Sequence, residues 1–319
     1  MILEVPKTAV VLATYNGEKL LEKQLDSIRN QTIPADYVLF RDDKSTDGTV
    51  NYLKSYIEKN ELENWIVNVN GHNLGWKLTF RQLMLDALAY DINYIFFSDQ
   101  DDIWELNKIE KQVIIAKEKP EIEVLSHDFD ILNTKNHEIS SANNYQFDSK
   151  GETISQYPKR ISYISYRLGF THMVKRELIE CLSKEWDSYQ HLAHDRLVSM
   201  ISDLCGTGYN LNENLARHIV HGNNATGKSR ISINSPKSEH LKEIKENTEY
   251  FELSILILQA RGYNTEAEQV KLVRDFYRRR YESGSISLTK RFRQIIKDWK
   301  QYPGNSTRIR DIIFALKRK

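Results

Sequence analysis

Cysteine is nearly absent: Cys181 and Cys205 are the two in 319 residues. Two thiols can neither staple a chain of this size nor complete a four-cysteine zinc site. A disulfide framework is therefore excluded, and a reducing, cytosolic setting is expected. Long hydrophobic runs are missing too, since the longest, such as Tyr94 to Phe97, are strand-sized and far short of a bilayer span. The opening MILEVPKTAVVLATYNG has no basic flank followed by a cleavage site, so no secretion signal is expected. Glycine (13) and proline (6) are too few for a fibrous or low-complexity chain. There is no overall charge of one sign either, with 45 Lys+Arg against 44 Asp+Glu and a net charge of +1.

What is present is the composition of a globular protein large enough to bury a proper core, 40% hydrophobic and 28% charged with 17 Tyr and 5 Trp. The near-zero charge hides an asymmetry. Residues 271–319 hold 15 Lys+Arg and 4 Asp+Glu, a balance of +11, which leaves 30 basic and 40 acidic residues before them, a balance of −10. An acidic body with a basic tail implies two surfaces with different partners. No nucleic-acid motif accompanies that tail, so no nucleic-acid partner is expected.

Apolar stretches alternate with helical ones along the first hundred residues. Thr8 to Thr14 (TAVVLAT) reads as a parallel strand buried on both faces. Leu20, Leu21, Leu25 and Ile28 then have helical spacing, and the pattern stops near Gln31 and Pro34. Tyr37 to Phe40 reads as a strand, Thr49 to Ile57 as a helix, Trp65 to Val69 as a strand, Phe80 to Ala89 as a helix and Tyr94 to Phe97 as a strand. This order predicts right-handed βαβ units, hence an α/β protein with a mainly parallel sheet flanked by helices. Ser140 to Tyr157, rich in Ser, Asn and Gln, reads as a surface loop long enough to serve as a lid. From about Ser235 the pattern is helical, with a break at Ser283 to Ser285.

Ligands of such sheets bind beyond the carboxyl ends of the strands. Three polar clusters fall there: Thr14, Tyr15 and Asn16; Asp42 with Asp43; and Asp99, Gln100, Asp101 and Asp102, followed by Ile103 and Trp104. The last places three carboxylates within four residues, where they repel unless a cation or donors neutralise them. Oxygen ligands on a loop suit Mg2+ or Mn2+, with water and substrate phosphates completing the shell. The plain alternative is an acidic cap on the helix after Trp104.

The strings VVLATYNGEKLLEKQLDSIRNQT, RDDKSTDGT, NLGW and SDQDDIW resemble the family 2 glycosyltransferases of the GT-A fold, nearest to the bacterial rhamnosyltransferase-like branch. LGFTHMVKREL, HDRLVSMI and HGNNATG resemble later segments of that branch, so the resemblance covers roughly residues 7–227 in order. It implies a GT-A domain over 1–230, with a nucleotide-sugar half at about 1–104 and an acceptor half at about 105–230. Residues 231–319 follow as a basic helical C-terminal region.

Carried over residue by residue, the resemblance implies that Thr14, Tyr15, Asn16 and Asn73 line the nucleotide. Asp43 accepts from the pyrimidine base with Asp42 beside it, and Asp99 meets the ribose. Asp101 holds a divalent cation, Mn2+ or Mg2+, that bridges the diphosphate, and His221 reaches back towards it. Asp102, Trp104, His194 and Lys77 are supporting residues, and Asp195 is the catalytic base. The pattern departs in two places. An arginine expected after the Asn-x-Gly turn is replaced around Lys77 and Phe80. The usual Tyr-Arg-Gln before the closing His-Gly is His218, Ile219 and Val220, for which Arg217 or Lys228 is the candidate substitute.

The implied reaction is inverting transfer of a sugar, L-rhamnose from dTDP-rhamnose first and a hexose from a UDP-sugar second, to a hydroxyl of a growing, lipid-linked cell-surface polysaccharide. The alternative is a catalytically silent module that binds a sugar nucleotide or glycan. A sugar nucleotidyltransferase would open with a Gly-rich phosphate loop, which ATYNGEKL lacks. In the tail, Phe292, Ile295, Ile296 and Trp299 have helical spacing with Arg291, Arg293, Lys297 and Lys300 on the flanks. Such a helix fits either the inner membrane surface or packing on the protein itself or on a second copy in a homodimer.

Overall fold

In a computed structural model of the chain, residues 6–135, 138–141, 151–161, 167–221 and 235–317 are described. They divide into two units, Met1–Gly222 and Asn223–Lys319.

In the first unit TAVVLAT forms β1 (Thr8–Thr14), in which Ala9 to Leu12 are fully buried. Its parallel neighbours are β2 (Tyr37–Asp42), which in turn pairs with β3 (Trp65–Val69), and on its other side β4 (Tyr94–Ser98). Val11 is level with Leu39 and with Phe97. The remaining strands are β5 (Ile103–Trp104), β6 (Val124–Asn133), β7 (Ile139–Ser141), β8 (Ile154–Gln156), β9 (Met173–Lys175) and β10 (Gly208–Val220). The order across the sheet is β3-β2-β1-β4-β9-β6-β10-β5, with β7 on β6 and β8 on β10. β9 runs antiparallel to both β4 and β6, so β6 keeps the direction of β4, and β10 is parallel to β6. The carboxyl ends of β1, β2, β4 and β6 therefore share one edge, and the polar clusters lie along it.

Strand alternation sends Val10, Leu12, Phe40 and Phe96 to one face of the sheet. There α1 (Leu21–Arg29) contributes Leu21, Leu25 and Ile28, and α4 (Lys108–Glu118) contributes Ile109, Val113 and Ala116, to one cluster with Trp104. Each such buried side chain contributes about 1.5–3 kcal/mol. α2 (Thr49–Lys59) follows β2 and buries Leu53 in the same cluster. On the opposite face α3 (Trp76–Ala87) buries Phe80, Leu83 and Met84, and the Phe80 ring meets Phe97 at 6.3 Å. α5 (Arg176–Glu185) and α6 (His194–Cys205) complete the unit, α6 burying Leu197, Val198 and Ile201.

Two local readings of the sequence are corrected. The helix expected from Phe80 starts at Trp76, because Gly75 turns the chain with φ 80° and Asp43 holds the amides just before the first turn. The expected loop from Ser140 to Tyr157 contains β8 and the end of β7, and Tyr157 is buried with its hydroxyl donating to Ser126 Oγ at 2.8 Å. Residues 142–150 of that segment, the turn from Gly222 to Gly227 and Lys228 lie outside the described residues.

The second unit consists of α7 (Lys237–Ala260), α8 (Asn264–Ser283), α9 (Leu288–Lys297) and α10 (Asn305–Leu316). Tyr250, Phe251, Ile257 and Leu258 of α7 are buried, as are Ala267, Val270 and Phe276 of α8. Asp311 ties α10 to this core: Arg280 donates to both its oxygens at 2.7 and 2.8 Å, and Tyr302 and His240 reach it at 2.9 and 3.0 Å. Despite burial, these partners hold the Asp311 carboxyl well below the ordinary carboxylate range.

Candidate active site

Each of the three polar loops is fixed by a hydrogen bond from another. Thr14 Oγ1 donates to Asp42 Oδ2 at 2.8 Å, joining the ends of β1 and β2. Asp42 is fully buried and also accepts from the Ser45 amide at 2.7 Å and the Ser45 hydroxyl at 2.6 Å, which closes an Asx-type turn. Asn16, at φ 46°, donates its amide to Ser45 Oγ and accepts from the Thr46 amide, both at 2.8 Å. Tyr15 is locked through its backbone: its amide donates to Gln100 Oε1 at 2.9 Å, and Gln100 Nε2 donates to its carbonyl at 3.2 Å. The Tyr15 ring is left exposed over the edge of the sheet.

Asp43 is only 3% exposed, and its carboxylate already has three donors. Oδ1 accepts from the Leu74 amide at 2.7 Å and from Asn70 Nδ2 at 2.9 Å, and Oδ2 accepts from the Gly75 amide at 2.8 Å. Asn73 Nδ2 donates to the Asp43 carbonyl at 3.1 Å. A carboxylate offers about four acceptor sites, so roughly one remains for a base. Asp43 therefore also anchors the loop that launches α3, a role beyond the pyrimidine contact that the resemblance implies. Lys77 is the second residue of that helix, its ammonium 5.9 Å from the Trp76 ring centroid.

The acidic loop from Asp99 to Asp102 is met by β10. β10 pairs antiparallel with β5, Ala216 opposite Trp104 and Arg217 opposite Ile103, and this register carries the residues after Arg217 back along the loop. His218 Nδ1 lies 2.7 Å from Asp102 Oδ1, which also accepts from the Ile219 amide at 3.2 Å. His221 Nε2 lies 2.7 Å from Asp101 Oδ2. Burial first, then the charges of Asp102 and Asp101, push the Asp99 carboxyl well above its ordinary range, and Asp195 adds to the push. Burial likewise raises Asp102, against the pull of His218. Burial opposes a charge on His218, but the Asp102 hydrogen bond and the surrounding carboxylates outweigh it and raise its pKa.

Trp104 is core: its amide donates to Ser27 Oγ at 3.1 Å, and its ring lies 3.5 Å from the Lys108 ammonium. Lys108 is fully buried, donates to the Phe170 carbonyl at 2.6 Å and is pushed well below the ordinary lysine range by that burial. Arg217 is paired with Glu105 at 3.0 Å, whereas the side chain that meets Asp102 is His218 at 2.7 Å.

Asp195 stands in the first turn of α6, its Oδ1 accepting from the Arg196 amide at 2.7 Å. The chain from Phe170 approaches it at Gly169, where a Cβ would sit 3.4 Å from Asp195 Cβ and 3.2 Å from His194 Nε2. His194 is buried in an aromatic cage, stacked on Phe80 at 4.1 Å and edge-on to Phe97 at 4.8 Å. Neither ring nitrogen has a hydrogen-bond partner, and burial lowers its pKa to about 3. A neutral ring without hydrogen bonds thus packs the start of α6 against β4.

Sequence reasoning passed over His218, Lys108, Gln100 and Asn70. The first stood in plain view as the departure from Tyr-Arg-Gln. The others become visible only when distant strands pair.

A divalent cation fits this loop. Asp102 Oδ2 is buried without a partner, and the Asp102 and Asp101 carboxylates add to burial in raising Asp99. No group of three or more His, Cys, Asp or Glu side chains poised around a metal occurs among the described residues. Asp101 and His221, 2.7 Å apart, are the side chains that could hold such a cation, with water and phosphate oxygens supplying further ligands.

The family model for glycosyl transferase family 2 matches residues 9–183, more than half of the chain. The dTDP-rhamnosyl transferase RfbG of Shigella flexneri is 37% identical over 103 residues, 32% of this chain and 35% of the relative. The poly(ribitol-phosphate) beta-glucosyltransferase of Bacillus spizizenii is 37% identical over 98 residues, 30% of this chain and 15% of the relative. These matches therefore span about a third of the first relative and less of the second. Among solved structures, S. aureus TarS aligns over 90% of this chain and 45% of its own with a TM-score of 0.58 at 20% identity. The mannosyltransferase PcManGT of Pyrobaculum calidifontis, solved with GDP-Man and Mn2+, aligns over 98% of this chain and 87% of its own with a TM-score of 0.52 at 16% identity. The sheet order is that of a GT-A fold, and the chain belongs to glycosyl transferase family 2.

Proposed function

We propose that this protein is an inverting glycosyltransferase that takes a sugar from a nucleotide-sugar donor and places it on a hydroxyl of a growing cell-surface polysaccharide. The observation that carries this is that His194 at the start of α6 packs on Phe97 at 4.8 Å, which brings its neighbour Asp195 to the end of β4, where Asp99, Asp101 and Asp102 follow. L-Rhamnose from dTDP-rhamnose is the first donor by likeness to RfbG, and a UDP-hexose the second. TarS has been solved with UDP-GlcNAc, which supports a nucleotide diphosphate in the same kind of fold.

In this reading the exposed Tyr15 ring covers the base while Asp43 and Asn73 keep the surrounding loop in place. Asp99 meets the ribose. Asp101 and His221 would hold the divalent cation, which when bound neutralises the diphosphate as it gains charge. His218, its pKa raised by the carboxylates around it, takes the place of an arginine beside the same loop. Asp195 takes the proton of the acceptor hydroxyl, whose oxygen bonds to the anomeric carbon from the face opposite the diphosphate. The bond between that carbon and the phosphate oxygen breaks with its electron pair on the diphosphate, so the configuration inverts.

A panel of nucleotide sugars, scored with Mn2+ present by thermal shift and by release of nucleoside diphosphate, tests the reading. Release from at least one donor, abolished by a strong chelator, is expected. Binding without release from any donor would instead make the chain a sugar-nucleotide-binding module.

A further inference from the structure

The second unit carries a surface that the reaction above does not use. Of the four apolar residues expected on one helical face, Phe292, Ile295 and Ile296 lie in α9 and Trp299 in the short 3-10 turn after it; Ile295 is buried and Phe292 half-buried, while Ile296 is 69% and Trp299 45% exposed. Ile295 and Ile296 point about 100° apart on a helix, so inward packing of one forces the other outward. The exposed pair is surrounded by charge of one sign: Lys290, Arg293, Lys297 and Lys300 are all exposed. Asp298, the one carboxylate between Leu288 and Gln301, is 2% exposed and turned inward onto Arg279 at 3.1 Å and Gln294 at 2.6 Å. Arg308 of α10 donates to the Trp299 carbonyl at 3.1 Å and lies 4.9 Å from its ring centroid. The next residue, Ile309, is 56% exposed.

We propose that this face, Ile296 and Trp299 ringed by Arg293, Lys297 and Lys300, docks the protein on an anionic lipid bilayer. An isoleucine and a tryptophan standing out of a cationic segment whose one carboxylate is buried match the boundary of such a bilayer, apolar below the headgroups and negative at them. Trp299 is suited to that depth, since its ring is apolar and its indole N–H finds a partner among the headgroups. No helix among the described residues is long and apolar enough to cross a membrane, so attachment of this kind is peripheral and reversible. Because a Debye length shrinks from about 30 Å at 0.01 M salt to about 10 Å at 0.1 M, the attachment is strongest at low ionic strength. The inference rests on the residues of the second unit and stands apart from the catalytic reading.

The test is sedimentation of the full chain with vesicles of phosphatidylcholine alone or mixed equally with phosphatidylglycerol. Wild type is expected to sediment with the anionic vesicles at low salt and to be released by added salt. Ile296→Asp with Trp299→Asp should lower the bound fraction about tenfold, and Lys297→Glu with Lys300→Glu should do the same. Both pairs lie at exposed positions, so thermal melting and nucleoside diphosphate release should stay as in wild type. Equal sedimentation of wild type and variants, or wild type left in the supernatant with both vesicle types, overturns the proposal. A dimer in solution that Ile296→Asp with Trp299→Asp converts to monomer, without change in lipid binding, assigns the face to a second copy instead.

Discussion

His218 Nδ1 and Asp102 Oδ1 lie 2.7 Å apart, joining the end of β10 to the acidic loop across a sequence separation of 116 residues. The family pattern has an arginine in this stretch; here the Asp102 hydrogen bond and the surrounding carboxylates outweigh burial and raise the pKa of His218, which favours the protonated ring. His218→Gln keeps a hydrogen-bonding side chain but removes the group that can be protonated. A hydrogen bond to a charged group contributes about 1.5–3 kcal/mol, so affinity for UDP or dTDP with Mn2+ should fall about 10- to 100-fold. Titration calorimetry checks this, and unchanged affinity would assign His218 to the scaffold alone.

Asp43 makes a different kind of prediction because its oxygens are already engaged by Leu74, Gly75 and Asn70. Asp43→Ala leaves the Leu74 and Gly75 amides without their acceptor, while Asn70 Nδ2 keeps its bond to Thr79 Oγ1 at 3.1 Å, and the change should cost about 3 kcal/mol of stability. Amide exchange at residues 74–76 should accelerate in the same variant. Weaker nucleotide binding at undiminished stability would make Asp43 a reader of the base and not the anchor of the loop.

The buried histidines set an acid limit. Burial lowers both His172 and His194 to about 3 from an ordinary value of 6.5. A histidine that is neutral when folded takes up a proton on unfolding, so its contribution is complete above pH 6.5 and is lost as pH falls towards 3. Each such group removes up to about 1.4 kcal/mol per pH unit in that window. His194→Phe keeps an aromatic ring between Phe80 and Phe97 and should flatten the decline by about that amount. Denaturant melts at pH 7, 6, 5 and 4 check the slope; identical slopes for the two proteins would contradict it.

The sequence carries the first four strands and their acidic ends openly, because each is a short apolar run stopped by polar residues, as at Leu12 to Asn16 and at Phe97 to Asp99. What it conceals depends on distant partners. The start of α3 at Trp76 has no capping side chain and is set by Asp43, more than thirty residues earlier. β8 is three residues long and exists by pairing with β10. His218 reads as a substitution in a motif until the β5–β10 register brings it to Asp102. The split of Ile295 and Ile296 between inside and outside likewise follows from packing within the second unit, not from the periodicity that the two share.

The most direct measurement compares wild type with Asp195→Asn, which keeps the shape of the side chain but cannot accept a proton. With the best donor of the panel and Mn2+, donor affinity should change less than about twofold while nucleoside diphosphate release falls about 100- to 10,000-fold, the usual range for loss of a general base. Release that persists in Asp195→Asn, or affinity that falls in step with it, would contradict the assignment of Asp195 as the residue that activates the acceptor.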